Sequence, residues 1–423
     1  MFYNFKKILV ILSAVLLVSC VEQPVKKASD LPVSFNIAIP ILTNNLITQV
    51  NNKQGLLSGM GEKIIIFDPF IDANSHQTVK VSRQIEKIIF AEVKRNFGDK
   101  FSISRITPDS ISKADYSMHG VILYDKYSGK GTMKGNFYHV ESYVVQIKTG
   151  EIIAKTDIWI SNPNLDYTPL VDNPMVIPGK QSVTEEIVKL DIGAKVPKAY
   201  DSSLKVGALI SEADAAYENR SYKKALSLYA KASKQSVERK MMMKTYGGLY
   251  KSNIQLGNFS AAEDAFGKLV ALSIEEYNTL SVKFLFSVSD TKFDRKLEDE
   301  YPIWLSQIGQ YFKDNQLCLH IIGHSSRTGK LGYNCNLSLS RAEKIQQLLQ
   351  RYFPRVTRNS KTDGKAWADN LVGSSTDDAQ DAIDRRVEFK VDSCPIFDTR
   401  NRRAKVKDCI NSTDEIRSPP SLL

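Results

Sequence analysis

Residues 317–329 read Leu-Cys-Leu-His-Ile-Ile-Gly-His-Ser-Ser-Arg-Thr-Gly, and Tyr333-Asn334, Leu337-Ser338 and Arg341-Ala342 follow. A short apolar run closed by a glycine predicts a buried strand, and the Ser-Ser-Arg-Thr-Gly stretch after it is turn chemistry. Helical spacing then continues to Tyr352. Outward from this stretch, Val282 to Phe286 reads as an earlier strand, Tyr301 to Phe312 as a helix, and Arg385-Arg386-Val-Glu-Phe-Lys-Val391 as a closing strand. The order is strand, helix, strand, helix and closing strand.

These residue types and spacings resemble the OmpA-like peptidoglycan-binding domain over residues 280–397. The resemblance implies a ligand, the free end of a diaminopimelate side chain in the wall's stem peptide, which carries one ammonium and one carboxylate. It assigns Ser326, Asn334, Arg341 and Arg386 to the binding rim. A guanidinium takes a carboxylate as a two-toothed, charge-assisted pair, and by position that role falls on Arg341. The family's acidic loop residue, the partner of the ammonium, is replaced here by Ser326. A neutral hydrogen bond of about 1 kcal/mol in place of a charge-assisted one of about 1.5–3 kcal/mol weakens that contact. Three explanations stay open: Asp377, Asp378 or Asp384 supplies the charge, the stem presents another group, or the domain has changed partner. His324 stands in an aromatic slot of the family and reads as a packed loop residue.

Four cysteines, Cys318, Cys335, Cys394 and Cys409, fall in the last quarter, and two disulfides are expected. Three pairings are open. If Cys318 begins one strand and Cys394 ends an antiparallel neighbour, those two pair and leave Cys335 with Cys409. Zinc is disfavoured because no two of them show the close spacing of a metal knuckle. The charged stretch 398–423 reads as a mostly disordered tail.

Ahead of this module, residues 204–275 carry helical periodicity. Ala215-Tyr217-Ser221-Tyr222-Ala225-Leu226-Tyr229-Ala232 aligns at an interval of 37 with Ser252-Ile254-Asn258-Phe259-Ala262-Glu263-Phe266-Leu269. The pair resembles a short tetratricopeptide array, which ordinarily needs three or more units to stand alone, so it should lean on a neighbour. Residues 166–203, with Pro169, Pro174, Pro178 and Gly179, read as a linker.

Residues 40–165 begin with a buried-strand signal at Lys63–Phe67 and a helix from Ser82 to Phe97. Strand-like runs follow at Phe101 to Ile106, Tyr116 to Tyr124, Tyr138 to Lys148 and Glu151 to Ile160, the last two joined by Thr149-Gly150. Ala114-Asp115-Tyr116-Ser-Met-His-Gly120, Val144-Val-Gln-Ile147 and Gly150-Glu-Ile-Ile153-Ala154 resemble the periplasmic domain of FlgO-, LpoB- and CsgG-type lipoproteins. That resemblance implies a protein-docking surface without a catalytic group. Asp68, Asp72, Asn74 and His76 are turn residues before they are metal ligands, and His119 and His139 sit in strand patterns as packed or hydrogen-bonded groups. The fold class expected is therefore α+β multidomain: a mixed α/β domain, a short helical repeat pair and, as the resemblance implies, a C-terminal OmpA-like βαβ domain with a mixed sheet.

At the start of the chain, Lys6-Lys7 precede the apolar run Ile8 to Val18, too short to span a bilayer, and Leu17-Val18-Ser19-Cys20 closes it. Residues 1–19 resemble a bacterial lipoprotein signal, with Cys20 as the lipidated N-terminus, residues 20–39 as a tether, and Val21 in place of the inner-membrane retention Asp pointing to the outer membrane. Three acyl chains make such an anchor effectively permanent. The formal net charge of +10 is diffuse, without the basic and aromatic clustering that nucleic-acid binding needs. No paired carboxylates, nucleophile elbow or metal set suggests an enzyme, and no cofactor is expected. The reading is a periplasm-facing outer-membrane tether to peptidoglycan that also scaffolds an unidentified periplasmic protein; the alternative is a regulator that binds protein only. Cys20→Ser is expected to abolish incorporation of labelled palmitate; label retained by that variant would remove the lipid anchor.

Overall fold

Ile65 and Phe67 fall on one face of a strand and Ile66 on the other, and this alternation organises the first half of the molecule. The structure is a computed structural model that describes residues 31–53, 61–73, 75–127, 134–176, 183–236, 239–282, 284, 286, 290–293, 297, 299–370, 384–394, 398 and 400–417. Cys20, Asn74, Asp377 and Asp378 lie outside them. In chain order the elements begin with α1 (Phe35–Lys53), β1 (Lys63–Phe67), β2 (Ile71–Asp72), α2 (Lys80–Phe97), β3 (Phe101–Arg105) and α3 (Pro108–Ile111). Next come β4 (Tyr116–Lys126), β5 (Asn136–Gln146) and β6 (Glu151–Ile160).

The first sheet runs β3-β1-β4-β5-β6, with β2 pairing β4 to one side. Strand β1 is parallel to β3 and β4, whereas β4, β5 and β6 form an antiparallel meander. Helices α1 and α2 cover one face through Leu42, Leu46, Ile85 and Ile89. The other face packs Ile66, Val121, Tyr143 and Val145 against α4 (Val183–Val188) and α5 (Tyr200–Glu218).

After α5, helices α6 (Tyr222–Gln235), α7 (Arg239–Gln255) and α8 (Phe259–Tyr277) stack, each against the one before it. The array does not stand apart. Phe266, Leu269 and Val270 of α8 share one core with Trp304 and Ile308 of α9 (Tyr301–Asp314) and with the second sheet. Buried Glu300 accepts from Tyr250 Oη (2.6 Å) and Lys251 Nζ (2.8 Å), and the Trp304 indole donates to the same tyrosine oxygen (2.6 Å), so α7 and α9 are locked by a closed polar cluster.

The second sheet has the order β10-β9-β11-β8-β7, made of β7 (Met175–Val176), β8 (Thr279–Val282), β9 (Cys318–Gly323), β10 (Ser360–Gly364) and β11 (Val387–Asp392). Strands β9 and β10 are parallel, and the other neighbours are antiparallel. Helix α10 (Leu331–Leu349) lies on β9 and β10, and α11 (Arg402–Arg417) lies on α10.

Four expectations change. The stretch 20–39 is not all tether, because α1 starts at Phe35, whose N–H donates to Asn162 Oδ1 (2.6 Å); Pro40 inside that helix removes one donor and hides the periodicity. Residues 166–203 are no free linker: Asp166 and Thr168 accept from the backbone of Val81 and Lys80, and Met175–Val176 adds a strand to the second sheet. The earlier strand of the C-terminal module is Thr279–Val282, with β10 unforeseen. The tail after residue 398 carries α11, where Val406 and Ile410 pack on Cys335 and Trp367, and Arg400 and Lys405 pair with Asp398.

Two disulfides, Cys318–Cys394 and Cys335–Cys409, bring Cα atoms to 5.4 and 5.8 Å. The second fastens α11 to α10. Replacing Cys335 and Cys409 together by Ser is expected to lower stability by roughly 2–4 kcal/mol in denaturant unfolding. Tryptic cleavage within residues 402–417 should accelerate at the same time; a helix that stays protected would mean its ion pairs suffice.

Candidate functional site

Gly323 ends β9, directly opposite Gly364 at the end of β10. A Cβ on Gly323 would lie 2.0 Å from the Ser338 carbonyl oxygen, and one on Gly364 would lie 2.5 Å from the Leu339 nitrogen. Only bare backbone at both positions lets α10 settle this deeply on the strand ends. The Ser338 hydroxyl then accepts from Ala366 N–H at 3.1 Å, tying the loop after β10 to the helix.

The loop after β9 is ordered from the same helix. Asn334 Nδ2 donates to the Thr328 carbonyl at 2.8 Å, and Ser325 N–H bonds the Ala366 carbonyl at 2.8 Å. Gly329 at φ +98° makes the turn into α10. Ser326 lies in this loop with its hydroxyl oxygen accepting from Thr328 at 3.3 Å.

Ser326, Asn334, Arg341 and Arg386 thus belong to the loop, to α10 and to the approach to β11, all at one end of the second sheet. They are not an open rim, since their exposures are 7%, 2%, 1% and 4%. Arg341 Nε and Nη2 both donate to the Asp290 carbonyl at 3.3 Å, Nη1 donates to the His324 carbonyl at 3.5 Å, and the guanidinium carbon stands 5.0 Å over the Phe286 ring. Chain around Asp290 therefore covers the charge that sequence reasoning assigned to a carboxylate.

Arg386 differs. Its Nη2 donates to the Asp369 carbonyl at 3.1 Å and meets Glu388 Oε2 at 3.5 Å, but Nε and Nη1 are buried without a hydrogen-bond partner. Ser325 Oγ, His324 Nδ1 and the Asn370 side-chain amide are in the same condition, and His324 Nε2 reaches Glu388 Oε2 only at 3.5 Å. Buried polar groups are normally satisfied, and so many unmet in one loop cluster make it the candidate site.

His324 stands between the two arginines, with its carbonyl on Arg341 and its ring beside Arg386 and Glu388. Burial, reinforced by the nearby Arg386 charge, pushes its pKa down to about 4, so the ring is neutral at pH 7. Burial works to raise the Glu388 carboxyl, yet His324, Arg386 and Lys390 beside it hold the group well below the usual carboxylate range. Glu388 went unnoticed in the sequence; it faces this cluster because β11 alternates, with Phe389 turned to the core. Asp384 is fully buried.

Elsewhere, Asp72 Oδ2 accepts from Ser75 N–H at 2.7 Å in a turn, and the His139 ring stacks on Trp159 with centroids 4.0 Å apart. Among the described residues, no three His, Cys, Asp or Glu side chains are placed to hold a metal, and no helix is long and apolar enough to cross a membrane.

No protein-family model matches the chain, and no curated protein matches it. Solved structures similar to part of it include the cell wall anchor of the T6SS from Pseudomonas aeruginosa (21% identity, 27% of this chain, 79% of that one, TM-score 0.23). Others are the OmpA-like domain of FopA1 from Francisella tularensis (18%, 27%, 75%, TM-score 0.22) and an outer membrane protein from Borrelia burgdorferi (21%, 27%, 88%, TM-score 0.20).

Because folded His324 titrates near 4 and an unfolded histidine near 6.5, the unfolded chain binds the additional proton between those values. Stability is therefore lost as pH falls from 6.5 to 4, by up to about 3 kcal/mol from this group. His324→Phe is expected to flatten that dependence in denaturant midpoints taken across the range; an unchanged slope would reject the assignment.

Proposed function

We propose that this protein is a non-enzymatic outer-membrane lipoprotein that holds the membrane to peptidoglycan and scaffolds a periplasmic protein. The observation that carries the wall-binding half is Arg386, a buried guanidinium with two donors unmet, beside a loop and helix whose spacing resembles the OmpA-like pattern. A buried cation with unmet donors is costly unless an anion completes it. The carboxylate of a diaminopimelate stem fits that need.

Arg341 enters the same account as a covered second site. Its two bonds to the Asp290 carbonyl are long and involve a neutral acceptor, whereas a carboxylate accepts shorter, charge-assisted ones. In this reading, binding draws the Asp290 chain aside so that the one stem carboxylate lies between Arg386 and Arg341. The ammonium would then face the Glu388 side of the cluster, since Ser326 brings no charge. The anchor is Cys20, and the helical array with the first sheet forms the protein-docking part. Tethering needs no bond to be made or broken: holding a partner near the wall raises its effective concentration.

The complete cover over Arg341 favours a second reading, in which the module binds protein and not wall. Co-sedimentation of the full chain with purified sacculi separates the two. The wild type is expected to sediment, and Arg341→Ala to lose roughly tenfold or more in affinity while melting within a few degrees of the parent. Ser326→Asp should tighten retention. A wild type left in the supernatant would overturn wall binding and leave the regulator.

A further inference from the structure

Between the first sheet and the helices that cover it lies a cavity of about 120 Å³, remote in sequence from the wall-binding cluster. Its sheet side is a finished hydrogen-bond chain. Asp68 Oδ2 can only accept, so His119 Nδ1 carries the proton across 3.1 Å, and Nε2 accepts from the Tyr200 hydroxyl at 2.8 Å. Tyr200 in turn accepts from Ser117 at 2.5 Å, and burial pushes its hydroxyl pKa up, keeping it a donor. This chain is complete and positions α5, although it leaves out Tyr143 Oη, a lining group of the same sheet that is buried without a hydrogen-bond partner.

The opposite wall is not saturated. Ser211 Oγ on α5 lines the cavity, 6% exposed as a residue, and is buried without a hydrogen-bond partner. One turn further, Asp214 accepts from Tyr229 at 2.5 Å, and Lys244 Nζ approaches Asp214 only to 3.6 Å, beyond hydrogen-bonding reach. Ser211 and Asp214, three apart, share a helix face, and both line the cavity together with Lys244. Of the cations on the lining, Arg83 is paired with Glu86 and Glu218, which leaves Lys244, held by Asp214 only at 3.6 Å, as the charge an anion would engage. Between the ends the wall is aliphatic: Ile187, Leu204, Ile210 and Met241.

We propose that this cavity binds a small amphipathic carboxylate, its anionic head on Lys244 and Ser211 and its apolar body against Leu204, Ile210 and Met241. At roughly 10–15 Å³ per water-sized sphere, the space admits a body of about ten heavy atoms. Such a ligand would bridge the first sheet's cover helix α5 to α7 and stiffen the joint between the two.

The test is calorimetric titration of the full chain with octanoate, with octanol as the uncharged counterpart. Octanoate is expected to bind saturably at one site and to raise the melting temperature, and octanol to bind about tenfold more weakly or less. Ser211→Met fills the space and removes the unmet hydroxyl, so it should abolish binding without lowering the melting temperature. Lys244→Met should weaken octanoate by about tenfold and leave octanol unchanged. Absence of saturable octanoate binding to the wild type, equal affinity for octanol, or undiminished binding by a folded Ser211→Met protein would each overturn the assignment.

Discussion

The backbone of α10 rests on two glycines, Gly323 and Gly364, facing each other across β9 and β10 with no side chain between helix and sheet. Everything at that end of the molecule follows from this depth. Ser338 can cap the loop after β10, Asn334 can order the loop after β9, and Arg341 enters the protein instead of pointing into solvent. A helix a methyl group further out would break all three contacts together. The arginines, His324 and Glu388 are thus held by a packing constraint, and their unusual electrostatics are its result.

The parts of the chain that sequence divides are continuous in space. Strand β7 comes from the stretch after the first sheet and pairs in the second, and the core of the second module runs into α8. Glu300, with Tyr250, Lys251 and Trp304, adds a polar lock across α7 and α9 that costs several kcal/mol if one partner is removed and the others stay buried. At the other end the Asp68-His119-Tyr200 chain fixes α5 on the first sheet. Four helices, each packed on the one before, connect the two sheets.

Much of the architecture was legible because it is written in local periodicity. The strands around Ile65, Val144 and Ile321 and the helices around Ile85 and Ile345 show apolar positions at the spacing of their element. The site was legible only as a list of residues. That Ser326, Asn334, Arg341 and Arg386 gather could be read from a familiar spacing; that they are buried could not, because the covering chain at Phe286 and Asp290 is distant in sequence and carries no pattern of its own. Glu388 was hidden by sitting one position from core Phe389. Helix α11 was unreadable for a physical reason: its sequence is too polar to hold a helix alone, and its order comes from Cys409, Val406, Ile410 and charges on α10 and nearby loops.

Cys335 and Cys409 are 74 positions apart, and Cys318 and Cys394 are 76 apart. Each bond closes only when a segment more than seventy positions later has reached the strand or helix that it fastens. Forming them removes two electrons apiece, so the finished module depends on an electron acceptor where it folds. A molecule detained in a reducing environment would keep its strands yet lack its strap, a difference that a quality-control protease can detect at a single loose helix.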